Sequence, residues 1–449
     1  MEHDFATRDE FNRHPVAEKI IQLLTSDISV SPMIIDGVWG SGKTEFTLKL
    51  ISLFKGAHPS FKCVYLDAFR AEHSNNPILS LLSEVIKSLP EAEQPSTIKK
   101  IAPTLTVIGK TLGKAAVSWA LKQDTTDIVE DYDEQIKQVS DSVIDYSTEK
   151  LLESFVKEEE DLHALQSILS ELTQDKPLVI FIDELDRCRP DYAVSMLESI
   201  KHVFDIQNLQ FVLVTNTSQL KATINHTYGV GVDAQRYLDK FIAFKVTLPT
   251  QVKTNYELED NSVKHFKNLI AESDILNQST LAKLDHGHIG TLCDLIKTHE
   301  RSLREVETLV RYLEVYHILS KGLDEDIIFG YSLFRVIGVY IYTFEPKIAD
   351  AIVSERVDGK VLLSFFGFES FEDFEKYETE DAQAHVIIVM RMLGRECSTN
   401  FEQFIIDDEV AMQDFADMKR CYFRNSRRAP DRIFSIVESA INELKMFKA

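Results

Sequence analysis

A glycine-rich segment that ends in a lysine and a threonine is the part of the sequence best suited to phosphate chemistry. Residues 37–44 read GVWGSGKT and fit the pattern G-x-x-x-x-G-K-[ST]. Glycines let backbone N–H groups come close to a polyphosphate. Lys43 would reach the β- and γ-phosphates, and the Thr44 hydroxyl would ligate Mg²⁺. The predicted nucleotide-binding residues are Gly37, Trp39, Gly40, Ser41, Gly42, Lys43 and Thr44.

An acidic pair follows an apolar run in the middle of the chain. Residues 178–182 read LVIFI, and Asp183 and Glu184 come directly after them. Phosphate hydrolysis needs a carboxylate for the metal and a base that orients water. We therefore predict that Asp183 holds Mg²⁺ through water and that Glu184 polarises the attacking water. The alternative is a surface Asp-Glu pair after an ordinary strand.

Polar and cationic residues elsewhere in the sequence are candidates for contact with the γ-phosphate. Asn216 follows the apolar run 211–214 and could act as a sensor, although Asn is also common in turns. Negative charge in the transition state calls for an arginine. Among the arginines, we favour Arg236 as a finger supplied by a neighbouring subunit and Arg301 as a sensor in a helical lid. Arg187 and Arg304 are further candidates, and each of these arginines could instead form a surface salt bridge.

Strands alternating with helices must position these residues. Apolar or β-branched runs at 33–35, 61–69, 178–182, 211–214 and 241–248 predict strands, and helical spacing lies between them. This alternation predicts an α/β fold with a parallel sheet and right-handed crossovers. After about residue 255 the pattern is all helical. We predict a discontinuous core at 1–94 and 165–250, a helical insertion at 95–164, a helical lid at 251–322 and a C-terminal helical domain at 323–449.

The charge balance argues against general binding to nucleic acid. The net charge is −23 at pH 7, whereas phosphate contacts need positive charge. A local basic cluster near the C-terminus is the exception. It comprises Lys419, Arg420, Arg424, Arg427, Arg428 and Arg432, with Tyr422 and Phe423 between them. Such a mixture suits single-stranded nucleic acid. The alternatives are an exposed helix-loop that balances a very acidic protein, or one that docks on the acidic insertion.

Segment 101–121 is mostly apolar but contains Lys110 and Lys114. We expect an amphipathic helix packed on protein there, with a membrane-surface helix or a membrane span as alternatives. The five cysteines are widely spaced and form no C-x-x-C pair, and no signal peptide is evident. These features predict a reducing, cytoplasmic compartment.

Several motifs in order resemble those of the KAP P-loop NTPases. The tryptophan-containing glycine loop 37–44 is one, and VYLDAF at 64–69 and FIDELDRC at 181–188 are others. YLDKF at 237–241 resembles the motif before the last core strand of the family, and RSLR at 301–304 resembles its lid motif. Glu184 stands where many members have Asp, and Asn216 replaces part of a usual Asp-Arg pair. The resemblance covers about residues 1–320 and implies a P-loop NTPase core of the additional-strand (ASCE) type.

Together, the residues and the resemblance predict an ATP hydrolase that uses Mg²⁺ and works as a switch or motor. We expect it to form a homo-oligomer or to act with a partner protein. Bacterial members of the family include proteins that exclude phages, so the resemblance also implies anti-phage defence as an expectation. No guanine-reading Asn-Lys-x-Asp pattern is evident, which favours ATP over GTP. Two alternatives stay open: a nucleotide-sensing scaffold with little turnover, and a nucleic-acid-handling ATPase.

Overall fold

The computed structural model describes residues 4–74, 76–89, 166–174, 176–253, 258–282, 287–380, 385–405, 409–424 and 430–446. The chain divides into two compact units, Met1–Pro249 and Thr250–Ala449. The predicted insertion at 95–164, with its apolar segment 101–121, lies outside the described residues. Within the described ranges, no helix combines the length and the apolar character that a membrane span requires.

A five-stranded parallel sheet forms the centre of the first unit. Its strands are β1 (Met33–Asp36), β2 (Lys62–Asp67), β3 (Leu178–Asp183), β4 (Leu209–Thr215) and β5 (Phe244–Thr247), in the order β2-β3-β4-β1-β5. β4 pairs with β1 on one side and with β3 on the other. One strand therefore separates the glycine-loop strand from the acidic strand. This order confirms the predicted additional-strand P-loop fold.

Apolar side chains cover both faces of this sheet. Along β1, Met33 and Ile35 belong to one buried cluster and Ile34 belongs to the other, as the period of two in a strand requires. All six residues of β3 are buried, which explains its unbroken apolar run. The α-helices of this unit whose bounds the structure describes are α1 (His14–Leu24), α2 (Lys43–Ala57), α3 (Ala68–Ala71), α4 (Pro77–Lys87), α5 (Pro190–Val203), α6 (Thr217–Tyr228) and α7 (Ala234–Leu238).

The second unit begins with an antiparallel pair, β6 (Gln251–Lys253) and β7 (Leu258–Asp260), and the elements described after this pair are helices. A single apolar cluster extends from Val263 to Leu444. The ranges that we predicted as lid and C-terminal domain therefore share one core. The helices are α8 (Asn261–Glu272), α9 (His288–Thr298), α10 (Leu303–Ser320), α11 (Phe329–Phe344), α12 (Pro346–Val353), α13 (Gly359–Phe365), α14 (Phe371–Glu380), α15 (His385–Gly394), α16 (Glu409–Phe423) and α17 (Phe434–Leu444).

Candidate nucleotide-binding site

The glycine loop connects the end of β1 to the start of α2. Gly40 and Gly42 have φ angles of 73° and 79°, a left-handed conformation that glycine adopts without a steric penalty. α2 begins immediately afterwards at Lys43, and no side chain caps its first turn. Its N-terminal N–H groups and the positive end of its dipole are thus available to an anion.

Lys43 is held inside the loop by two backbone carbonyls. Its Nζ donates to the carbonyl oxygens of Gly37 at 2.7 Å and of Val38 at 3.1 Å. Burial lowers the pKa of the Lys43 ammonium, whereas nearby carboxylates, first Asp186 and then Asp183, favour its charged form. A cation therefore lies inside the loop that the sequence predicts to bind phosphates.

Asp183 ends β3 as a fully buried carboxylate, with 1% of its surface exposed. The Tyr65 hydroxyl donates to Oδ2 at 3.1 Å, and the Glu184 N–H donates to Oδ1 at 2.8 Å. Burial raises the pKa of Asp183, and hydrogen bonds, the first from the Thr44 hydroxyl, oppose that increase. A carboxylate and a hydroxyl in contact are the oxygen ligands that Mg²⁺ prefers. These residues therefore fit the predicted metal role.

No cluster of three or more His, Cys, Asp or Glu suited to a metal ion occurs among the described residues. Mg²⁺ at Thr44 and Asp183 would therefore need further oxygens from the nucleotide and from water, as is usual for this ion.

Glu184 directs its carboxylate toward the glycine loop. Its Oε1 accepts a hydrogen bond from the Thr44 hydroxyl at 3.4 Å, and its Oε2 forms an ion pair with Arg187 Nε. Burial raises the pKa of Glu184, the Arg187 guanidinium lowers it, and Asp183 raises it further. The predicted base thus lies beside the predicted metal ligands, as water activation requires.

A third carboxylate links the glycine loop to β4. The Trp39 indole N–H donates to Asp186 Oδ2, and the Thr215 hydroxyl donates to Asp186 Oδ1 at 3.0 Å. Asp186 lies in the 3-10 turn Leu185–Arg187 that follows the acidic pair. No role was predicted for Asp186 or Thr215. Their only local signal is position, because Thr215 ends β4 and Asp186 lies in the turn after β3.

Comparison with known families is consistent with this site. The family described as "KAP family P-loop domain" matches residues 13–319. The chain belongs to the KAP family. Among solved structures, it is similar to "Structure of the Aeropyrum Pernix ORC2 protein (ADPNP-ADP complexes)", with 14% identity, a TM-score of 0.37, and coverage of 97% of this chain and 95% of that one. No curated protein matches the chain.

The KAP domain uses Asn216 as a helix cap. Asn216 follows β4 at the same edge of the sheet, but its Oδ1 accepts from the N–H groups of Ser218 at 3.1 Å and Gln219 at 3.4 Å. These bonds satisfy two free N–H groups at the start of α6. The contacts thus assign a local structural role to the side chain that we predicted as a sensor.

The two predicted arginines differ in exposure. Arg236 lies in α7 of the first unit, where 86% of its side chain is exposed and it pairs with Asp233 at 3.2 Å. Arg301 lies in the second unit, just before α10, and only 15% of its side chain is exposed. It forms ion pairs with Glu305 at 3.0 Å and Glu345 at 2.9 Å. Arg236 is therefore accessible, whereas Arg301 is held by its own unit.

The glycine loop is also anchored by residues that were not predicted from the sequence. Arg13, before α1, is 5% exposed and donates to the Ser41 carbonyl oxygen at 2.9 Å. Burial lowers the pKa of Arg13 to about 10. Asp36, at the end of β1, accepts from the Thr217 N–H at 2.8 Å and pairs with Lys245 of β5 at 2.7 Å. These contacts fix both ends of the loop.

Proposed function

We propose that this KAP family protein hydrolyses ATP with Mg²⁺ and works as a switch or motor. The observation that carries the proposal is the meeting of Lys43, Thr44, Asp183 and Glu184 at the carboxyl edge of β1 and β3. A loop cation, two metal ligands and a base in contact with one of them are the parts that nucleotide hydrolysis needs.

Each residue has a chemical role in this proposal. Lys43 and the N–H groups of the loop bind the phosphates, and Thr44 and Asp183 hold Mg²⁺, which neutralises phosphate charge when bound. Glu184 orients a water and accepts its proton as the water oxygen bonds to the γ-phosphorus. The bond from phosphorus to the β,γ-bridging oxygen breaks, and ADP and phosphate leave.

The test compares ATP binding by calorimetry with steady-state turnover. We expect Lys43→Ala to lose binding, and Glu184→Gln to keep binding while turnover falls about a hundredfold or more. Lys55→Ala is a matched control, since Lys55 is an exposed lysine in the last turn of the same helix. A wild-type chain that binds no ATP would contradict the proposal. Binding without turnover at any protein concentration would favour the nucleotide-sensing scaffold.

We further propose a homo-oligomer in which Arg236 completes the site of a neighbouring chain. Support comes from its 86% exposure and from apolar residues in the preceding segment. Val230 is 94% exposed, Val232 is 37% exposed and Tyr228 is 44% exposed. Exposed apolar residues beside an accessible arginine suit a protein interface.

Mixing two inactive variants tests this arrangement. Lys43→Ala keeps Arg236 but lacks a working loop, and Arg236→Ala keeps the loop but lacks the arginine. We expect turnover to return when both variants are mixed, because a mixed interface combines one intact loop with one intact arginine. Full activity of Arg236→Ala alone, or no recovery on mixing, would show that Arg236 is not shared between chains.

Three further predictions remain proposals: the sensor residues, the biological role and the location. For Asn216 and Arg301 to act as sensors, each would have to contact the nucleotide in addition to its present protein partners. Anti-phage defence rests on the family resemblance, and plaque counts on cells carrying the wild type or Lys43→Ala would test it. A cytoplasmic location is supported by five cysteines that form no disulfide.

The nucleic-acid alternative gains no support from the described part of the basic cluster. Tyr422 is 5% exposed and Phe423 is fully buried, so neither ring can stack on a base. Arg420 pairs with Asp417 and Arg432 pairs with Glu355. Residues 425–429 lie outside the described ranges. These contacts agree with the interpretation that the cluster balances acidic neighbours.

A further inference from the structure

Arg187 contacts the predicted base across a single turn of backbone. The Arg187 N–H donates to the Glu184 carbonyl oxygen at 3.1 Å, which closes the 3-10 turn that follows β3. Its side chain then returns over the turn, and Nε pairs with Glu184 Oε2. The arginine side chain is 30% exposed and the glutamate side chain is 19% exposed. The pair is therefore partly desolvated, which strengthens a charged hydrogen bond.

The two oxygens of Glu184 have different partners. Arg187 engages Oε2, whereas Oε1 accepts only the 3.4 Å hydrogen bond from the Thr44 hydroxyl among the contacts that the structure gives. Thr44 is also a predicted metal ligand. Its hydrogen bond to Oε1 is longer than an ordinary O–H···O bond, so Oε1 is the more weakly held oxygen and the one available to a reacting water.

The surroundings of Glu184 would otherwise repel its carboxylate. Asp183, Asp186 and Asp67 all act on it as like charges, and Arg187 is the main charge that opposes them. Its backbone is also unusual, because its φ of 62° lies in the left-handed region that non-glycine residues rarely occupy. The contact with the Arg187 guanidinium offsets this repulsion and favours one orientation of the carboxylate.

We propose that Arg187 is a positioning residue, which holds Oε2 of Glu184 so that Oε1 orients the attacking water. This inference rests on the proposed ATP hydrolysis. Arg187 acts through the glutamate and not on the phosphate. One turn of backbone joins the carboxylate to the guanidinium. The carboxylate is therefore already oriented when a nucleotide binds.

The experiment is a double-mutant cycle on the full chain with ATP. We expect Arg187→Ala to lower kcat about ten- to a hundredfold, while KM and the calorimetric Kd for ATP change less than about threefold. Arg187→Lys should recover part of kcat, because an ammonium still pairs with a carboxylate but lacks the fixed geometry of guanidinium. In the Glu184→Gln background, Arg187→Ala should change the residual rate less than about threefold.

Arg189→Ala is the matched control, since Arg189 lies two residues further on and its N–H and side chain both contact Glu72. An unchanged kcat in Arg187→Ala would overturn the inference. A further loss of the same size in the Glu184→Gln background would show direct action on the phosphate, and a parallel rise in Kd would show a binding role. Either of these two results would also overturn the proposal that Arg187 positions Glu184. If the wild type binds ATP without turnover, the proposed hydrolysis fails together with this inference, and that outcome is distinct from the other three.

Discussion

Replacing Arg301 with alanine distinguishes two roles for this residue. The sequence predicts a nucleotide sensor, whereas the contacts support a structural role. A nucleotide sensor has to reach the phosphates, whereas Arg301 is held at every part of its guanidinium. Nε donates to the Tyr340 hydroxyl at 3.2 Å, and the two terminal nitrogens pair with Glu305 and Glu345. The centroid of the Phe344 ring lies 4.2 Å from the guanidinium carbon. We therefore expect Arg301→Ala to destabilise the helical unit.

The size of the effect follows from these contacts. The carboxylate side chains of Glu305 and Glu345 are 41% and 35% exposed, so each ion pair contributes about 0.5 kcal/mol. The hydrogen bond to Tyr340 adds about 1 kcal/mol, and the cation–π contact with Phe344 adds about 1 kcal/mol. Tyr340 keeps other partners, His299 and the Leu295 carbonyl oxygen, so its hydroxyl is not left unpaired. The expected loss is about 3 kcal/mol in the free energy of unfolding.

Urea denaturation followed by circular dichroism measures this loss, and hydrogen exchange shows whether α10 and α11 open more often. Arg304→Ala is the control, because Arg304 is an exposed arginine in the first turn of α10 and should change stability by less than about 0.5 kcal/mol. Arg301→Ala with unchanged stability but slower ATP turnover would refute this reasoning and support the sensor. Loss of stability with normal turnover per folded chain would confirm the structural role.

Other substitutions test single contacts in both units. Ser302→Ala removes the capping box that starts α10 and should cost about 1 kcal/mol in a urea titration at pH 7. Burial tends to raise the pKa of Glu305, but hydrogen bonds from Ser302 lower it overall. The stabilisation by Glu305 is therefore present above the ordinary carboxyl pKa of 4.5 and is lost as the pH falls through the lowered value, so Glu305→Gln should differ from wild type at pH 7 and not in acid. Gly394→Ala would place a Cβ 2.4 Å from the Phe404 ring and should lower stability by about 1–3 kcal/mol, and an unchanged melting curve would contradict that steric conflict. Trp39 fluorescence should change when ATP binds, and a signal that persists in Trp39→Phe would show that the loop tryptophan is not its source.

The parts of the fold that depend on local patterns could be predicted from the sequence. The apolar runs of β1 and β3 are short, buried and bounded by polar residues, so the period and length of each run indicate a strand. Asp183 and Glu184 were found because they end such a run. The position of β4 between β1 and β3 has no local signal, and it was expected only from the resemblance to a known family.

The contacts that connect distant residues could not be predicted in this way. Trp39 and Asp186 are 147 positions apart, and Arg13 and Ser41 are 28 positions apart, so no periodicity relates them. For Asn216 the local pattern itself was ambiguous. The sequence suggested a sensor or a turn residue at this position, whereas the structure shows that its side chain caps α6.

Several independent elements meet at the glycine loop, and this has a consequence for nucleotide binding. Arg13 holds the Ser41 carbonyl oxygen from the segment before α1, Lys245 holds Asp36 from β5, and Asp186 holds Trp39 from the turn after β3. A loop fixed in this way loses little conformational freedom when a ligand binds, so more of the contact energy appears as affinity. The turn that fixes Trp39 also carries Arg187, the partner of Glu184. Because Asp186 and Arg187 share one turn of backbone, a nucleotide that displaced Trp39 would also change the position of Glu184, the predicted base.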